Sequence, residues 1–317
     1  MSGKVLFSIV VPLYNKAPVV ESTMHSILAD TERVGEVLVI DDGSSDDGAA
    51  IVAAINDPRI RLISQANGGV SRARNAGIAA ARCDWVAFLD ADDLWEPDFL
   101  STLESLALAY PDCGMLATSY AREDETGRRF PPAGSWTIGD GESRCVDDFY
   151  ALMADGHLCW TGSIAVRRSL LVGQGMRFPE GESLGEDLDF FFQVAEQTSV
   201  ALCNRPLAIY RESSQVSRLS DLRLPKLVPP FLERLDARWR AGALPEGKRP
   251  GAAQYLASHL EHVVILGTQA GRRREALPII FHPLLRERYA RWLGLLVFWA
   301  LPVRIGNRIL EWRRAQG

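Results

Sequence analysis

Cysteine is scarce in this chain of 317 residues. Cys83, Cys113, Cys145, Cys159 and Cys203 are odd in number, widely spaced and free of any CxxC pair. That pattern disfavours both a disulfide framework and a zinc site, and it suits a reduced, cytoplasmic compartment. Long hydrophobic runs are also missing at the N-terminus: MSGKVLFSIVVPLYN carries one lysine and a short apolar stretch broken by Ser8 and Pro12. Such a stretch is too poor for a secretion signal or a membrane span. There is no Asn-x-Ser/Thr acceptor, and the first two thirds contain no basic run. With a formal charge of −5, nothing points to a nucleic-acid partner. No GxGxxG turn follows the first apolar stretch, which removes the usual sign of dinucleotide binding. GALPEGKR at 242–249 imitates a P-loop but lacks the closing Ser or Thr and sits in a Gly/Pro-rich break.

What is present is ordinary globular composition, 47% hydrophobic and 24% charged, enough for one large domain and an appendage. FSIVVPL (7–13), EVLVID (36–41), IRLISQ (60–65) and WVAFLD (85–90) are short, apolar and rich in β-branched residues, as buried strands are. Helical spacing runs between them, with Ser45 and Ser71 as expected N-caps. Strand and helix in alternation predict an α/β fold, a Rossmann-like, mainly parallel sheet flanked by helices. Residues 111–145 turn irregular, and a helical pattern then resumes at Asp147–Ala154, followed by a strand-like SIAVRR. Beyond Arg218 the text becomes Leu- and Arg-rich and helical. These features place a domain over 1–220 and a helical C-terminal extension over 221–317.

The apolar strands end in acids. Asp41 closes the second at the edge where parallel sheets bind ligands, and its carboxylate can accept hydrogen bonds from a base or ribose. The fourth ends in Asp90 and Asp92, two residues apart and hence on one side of an extended chain. Two carboxylates aimed at one point repel unless a cation lies between them, and their oxygens suit Mg²⁺ or Mn²⁺. Asp93, ahead of LWEPDFL, reads as the cap of the next helix.

IVVPLYN (9–15), VIDDGSSD (39–46), NGGVSRARNAGIAAA (67–81), FLDADD (88–93) and GEDLDF (185–190), in this order, make the first 220 residues resemble a family 2 glycosyltransferase of the GT-A fold. The resemblance implies a nucleotide-sugar-binding part over 1–110 and an acceptor part over 111–220. It implies that Pro12, Tyr14 and Asn15 line the nucleotide pocket, that Asp41 contacts the base with Asp42 supporting its turn, and that Arg74 lies near the base and phosphates. Asp90 would be nearer the ribose, and Asp92 would hold the Mn²⁺ or Mg²⁺. The ED pair would supply the catalytic base, Asp187, with Glu186 supporting it or the acceptor. One base opposite the leaving group implies a single displacement with inversion. Trp160, in WTGS, is a candidate for the acceptor pocket.

QxxRW, the mark of processive members, is absent. YRESSQVSRLS at 210–220 replaces it, with Arg211, Glu212 and Arg218 where a histidine is common. The resemblance therefore implies transfer of a single sugar from a nucleotide-sugar donor to a glycan or lipid-linked acceptor, in bacterial surface polysaccharide biosynthesis. The alternative is a non-catalytic scaffold or sugar-nucleotide-binding subunit of a membrane glycan-assembly complex. Residues 286–314 carry seven arginines and two glutamates around an uncharged core, Trp292–Val303, of 12 residues. A bilayer span takes roughly 20 residues, so the segment suits a membrane interface at the cytoplasmic face of the inner membrane. A helical pair completing a core, or a contact in a homo-oligomer, is the competing reading.

Overall fold

Phe7–Leu13 forms strand β1, and all seven of its side chains are buried. A strand covered on both faces needs apolar residues at successive positions, and FSIVVPL supplies them. The computed structural model describes residues 4–132, 138–154, 156, 158–182, 184–212 and 226–302. The chain divides into two units, Met1–Arg218 and Leu219–Gly317.

In the first unit β1 lies parallel between β2 (Val34–Asp41) and β4 (Trp85–Phe88), and β3 (Ile60–Ser64) extends the same parallel set beyond β2. The crossovers are helices α1 (Val20–Leu28), α2 (Gly48–Ala54) and α3 (Val70–Ala80). Past β4 the chain forms β5 (Leu94–Trp95), α4 (Phe99–Ala109) and β6 (Met115–Glu123). The sheet order is β3-β2-β1-β4-β9-β6-β10-β5, where β9 is Ile164–Arg167 and β10 is Val200–Arg211. Two short strands lie off this path, β7 (Arg129–Phe130) on β6 and β8 (Ser143–Val146) on β10.

The parallel half follows from the alternation of strands and helices. β9 departs from it, running antiparallel to both β4 and β6, because it is reached through the irregular stretch after β6 and not through a long crossover helix. Two reversals cancel, so β6 and the parallel β10 point as β1–β4 do. The carboxyl ends of β1, β2, β4 and β10 consequently open on one edge, where the acids stand.

Helix α3 lies unusually close to β1. A Cβ at Gly77 would come within 2.3 Å of Val10 Cγ1, so only glycine allows the approach that fixes the depth of the next residues in α3. Two expected caps are corrected. Ser45 does not cap α2. The helix begins at Gly48, whose amide donates to Asp46 Oδ1 at 3.0 Å, while the Ser45 amide and hydroxyl both donate to Asn15 Oδ1. Ser71 lies inside the first turn of α3 and does not cap it. Gly69, with φ of 87°, takes the N-cap position, because the chain there is turned by Asp42.

The second unit, considered by itself, has helices at Pro230–Arg240, Arg249–Gln269, Arg273–Ile280, Pro283–Glu287 and Tyr289–Ala300 among its described residues. Leu235, Tyr255, Leu256, Val264, Ala276 and Ile280 are buried within it. No described helix is long and apolar enough to cross a membrane. Residues 213–220, with Arg218, and the tail beyond 302, with Trp312, lie outside the described residues.

Candidate active site

The site begins where β1 ends. Pro12 is buried inside the strand, opposite Ile40. Tyr14 is half exposed, and Asn15 adopts a left-handed φ of 52°, which asparagine tolerates better than most residues. Its side-chain oxygen accepts from the Ser45 amide at 2.8 Å, and its own amide donates to Ser44 Oγ at 3.2 Å. Asn15 thereby ties the end of β1 to the turn after β2.

That turn is built by its two acids. Asp41 Oδ1 accepts from the Ser44 amide at 3.0 Å. The Asp42 carboxylate accepts from Gln65 Nε2 at 2.7 Å and from the amides of Gly68 and Gly69 at 3.0 and 2.8 Å. Asp42 therefore organises backbone: it holds the loop ahead of α3 against the end of β2.

The acids after β4 are arranged asymmetrically. Arg74, buried in α3, donates from one nitrogen to both oxygens of Asp90 at 2.8 and 3.0 Å. Burial disfavours its charge, but Asp90, followed by Glu186 and Asp187, outweighs this and raises its pKa. Asp92 is one-third exposed (33%) and bonds through Oδ2 to Lys16. Among the described residues no group of three or more His, Cys, Asp or Glu is placed to hold a metal ion. Asp90 is paired with buried Arg74 and Asp92 with partly exposed Lys16, so Asp92 is the more open of the two carboxylates. That fits an ion of the Mg²⁺ or Mn²⁺ type, which commonly binds through one or two carboxylates and takes water and substrate phosphate for the rest.

Asp93 is not a helix cap. β5 intervenes, pairing with Ala208 and Ile209 of β10, and α4 starts only after Asp98. Asp93 is buried, with Oδ1 accepting from the Arg211 amide at 3.0 Å and Oδ2 from Trp160 Nε1 at 3.2 Å. Burial and the neighbouring charges of Asp90 and Asp92 push its pKa well above the usual carboxylate range, against the opposing effect of those two hydrogen bonds. Arg211 also donates through Nε to the Asp92 carbonyl, and Thr23 Oγ1 bonds the carbonyls of Ala91 and Asp93 at 2.9 and 2.8 Å. The loop 90–93 is thus clamped from α1, β10 and the Trp160 turn together.

Trp160 packs on Tyr210 with ring centroids 4.6 Å apart and on Tyr120 at 6.2 Å. The Tyr120 hydroxyl is pushed up to about 12, chiefly by burial.

The second acid pair opens α5 (Glu186–Gln197), whose N-cap Gly185 is left-handed at φ 75°. Asp187 Oδ1 accepts from the Leu188 amide at 2.8 Å. Glu186 Oε1 lies 3.8 Å from the second Arg74 amino group, and burial, with the Asp187 charge adding to it and Arg74 opposing, brings its pKa up to about 7. Phe178 closes this region: the Arg74 guanidinium lies 5.1 Å from its ring centroid, and the ring stacks on Phe190 at 3.9 Å. Asn75 pins Phe178 through both of its backbone groups at 2.9 Å.

The structure therefore gathers Asp90, Arg74 and Glu186 into one group, with Asp92 and Asp93 in the adjoining loop and Trp160 on Asp93; Asp41, Asp42 and Asn15 form a second group around the β2 turn. Lys16, Asn75, Phe178 and the structural part of Asp93 escape sequence reasoning. Asn75 sits inside the motif 67–81, but its partner lies 103 positions away.

Two pairs of acids at the carboxyl edge of the sheet, Asp41 with Asp42 and Asp90 with Asp92, and a third pair, Glu186 with Asp187, agree with the GT-A fold that the sequence motifs imply. Consistent with this, the chain resembles crystal structures of S. aureus TarS. In the complex with UDP-GlcNAc the TM-score is 0.66 at 17% identity, covering 87% of this chain and 80% of that one. In the UDP complex it is 0.63 at 18%, covering 93% and 81%. Residues 8–171 match the model of glycosyl transferase family 2, and the chain belongs to that family. Relatives include the uncharacterized glycosyltransferase EpsJ of Bacillus subtilis (strain 168), 30% identical over 66% of this chain and 61% of that protein. The succinoglycan biosynthesis protein ExoO of Rhizobium meliloti (strain 1021) is 50% identical over 29% of this chain and 26% of its own. The uncharacterized glycosyltransferase YibD of Escherichia coli (strain K12) is 42% identical over 32% and 30%. The matches thus span between about a quarter and three fifths of these relatives' lengths.

Proposed function

We propose that the protein is an inverting, metal-dependent glycosyltransferase that moves one sugar from a nucleotide-sugar donor to a glycan or lipid-linked acceptor in surface polysaccharide biosynthesis, at the cytoplasmic face of the inner membrane. The observation that carries this reading is the Arg74 bridge. It joins Asp90, on the donor side, to Glu186, beside the candidate base, so that the two halves of a transfer site meet on one buried arginine.

On this reading Tyr14 and Asn15, with Pro12 behind them, border the nucleoside, Asp41 meets the base and Asp42 fixes the turn that presents it. Asp90 faces the ribose, held in place by Arg74. Asp187 takes the proton of the acceptor hydroxyl as its oxygen bonds to the anomeric carbon, and the bond from that carbon to the diphosphate breaks on the opposite face with the electron pair leaving on phosphate oxygen. A single displacement inverts the configuration. Asp92 would hold the Mn²⁺ or Mg²⁺, which when bound neutralises charge on the departing diphosphate. Trp160 and Tyr210 give the acceptor an aromatic wall.

TarS was crystallised with UDP-GlcNAc, so uridine-diphosphate sugars lead the donor panel for this chain. The test is thermal melting of the purified protein with nucleotide sugars and Mn²⁺, followed by transfer assays. A donor should raise Tm, Asp92→Asn should abolish the Mn²⁺-dependent part, and Asp187→Asn should stop transfer while sparing the donor shift. Loss of that shift in Asp187→Asn would remove the base assignment, and no response to any donor would remove the reading.

A further inference from the structure

The C-terminal unit carries a surface that the transferase reading does not use. In the helix Tyr289–Ala300, Leu295 is buried and Trp299 Nε1 donates to the Arg273 carbonyl at 2.9 Å, which fixes the inward side. The outward side is apolar. Tyr289, Leu293 and Val297, spaced by four and hence aligned on one face, are 65%, 40% and 59% exposed. The exposed residues beside them are Ala290, Gly294 and Ala300. A helix on a water-facing surface ordinarily turns charge outward. Here Arg291 is the charged member of the exposed set within the helix, and it leans to Glu261 at 3.7 Å, as Arg288 does at 3.5 Å.

Charge is divided just as unevenly. Residues 219–317 hold seventeen Lys and Arg against eight Asp and Glu, a formal charge of +9, which leaves −14 for residues 1–218 out of the chain's −5. Arg286, exposed, lies three positions ahead of Tyr289, with exposed Glu287 and partly buried Arg288 between them. An apolar face on a basic unit is the combination that enters a negatively charged lipid headgroup layer. A nucleic acid would draw on the arginines and stacking aromatics but would leave Leu293 and Val297 in water.

We propose that the C-terminal unit docks on an anionic membrane surface, with Tyr289, Leu293 and Val297 entering the headgroup layer and exposed Arg286 and Arg291 meeting lipid phosphates. The docking rests on the membrane-face location in the proposed function but needs neither donor nor acceptor, so its failure is distinguishable from a failure of the transfer chemistry.

The test is co-sedimentation of the full chain with phosphatidylcholine vesicles and with vesicles also containing phosphatidylglycerol, at low and high salt. The wild type should bind the second kind far more tightly and lose binding as salt rises. Leu293→Asp with Val297→Asp should weaken binding at least about tenfold, with the fold retained and Tm lowered only a little, because the side chains are 40% and 59% exposed. Failure to bind anionic vesicles at low salt would overturn the proposal. So would equal binding by the double variant, which would leave only a basic patch. A dimer in sedimentation equilibrium that the double variant converts to monomer would instead assign the face to a second copy of the chain.

Discussion

Arg74 stands between Asp90 and Glu186, bonded to both oxygens of the first at 2.8 and 3.0 Å and 3.8 Å from the second. Its burial makes this a charge that cannot be left alone. Arg74→Ala would leave the partly exposed Asp90 beside Asp92 and Asp93 without its partner, which should cost roughly 1–3 kcal/mol. Urea unfolding should show that loss. Arg74→Lys should recover only part of it, because an ammonium lacks the planar fork.

Glu186 should make stability depend on pH in the direction opposite to that of a salt-bridged acid. Its folded pKa is raised from 4.5 to about 7. Below the unfolded value both states carry the proton, and the group is neutral toward folding. As pH rises from about 4.5 to about 7 the unfolded chain releases the proton first, so stability falls across that window. Glu186→Gln removes the slope. Its stability relative to wild type should increase by on the order of 1–3 kcal/mol between about pH 5 and about pH 8, measured by denaturant titration.

Asp93 distinguishes a cap from a buried acceptor. A lost N-cap costs about 1 kcal/mol. Asp93→Ala instead leaves the Arg211 amide and the Trp160 indole N–H unpaired, which should cost roughly 2–5 kcal/mol. Asp93→Asn, which keeps an acceptor and removes a buried acid, should lose much less. Near-equal, cap-sized losses for the two variants would contradict the assignment.

Gly77→Ala tests the contact between α3 and β1. Alanine is the better helix former by roughly 1 kcal/mol. The new methyl would nevertheless meet Val10 at 2.3 Å, and overpacking costs roughly 1–3 kcal/mol. The variant should therefore be no more stable than wild type, with a lower Tm, and Gly77→Val should be lower still.

Much of the molecule is legible without coordinates. Strands such as β1 and β2 announce themselves because burial on both faces demands unbroken apolar runs, and Asp41, Asp90 and Asp92 stand out because charge at the end of such a run needs a reason. The expected caps at Ser45, Ser71 and Asp93 do not survive. Capping preference is a local tendency, and each site had a competitor from elsewhere in the chain: Asn15 for Ser45, Asp42 at the α3 start, and Arg211 with Trp160 for Asp93.

Local pattern, then, determined the elements, the edge of the sheet on which acids collect and the motifs that mark the family. Tertiary structure alone decided which acids remain accessible. Asp90 and Asp92 are alike in sequence, yet one pairs with an arginine buried in α3 and the other with a partly exposed lysine, Lys16, which leaves Asp92 the more open. The direction of β9, the burial of Asp93 and the approach of Glu186 to Arg74 were decided the same way. Each depends on contacts between residues far apart in the chain, where hydrogen-bond geometry and desolvation set the outcome and local propensity has no influence.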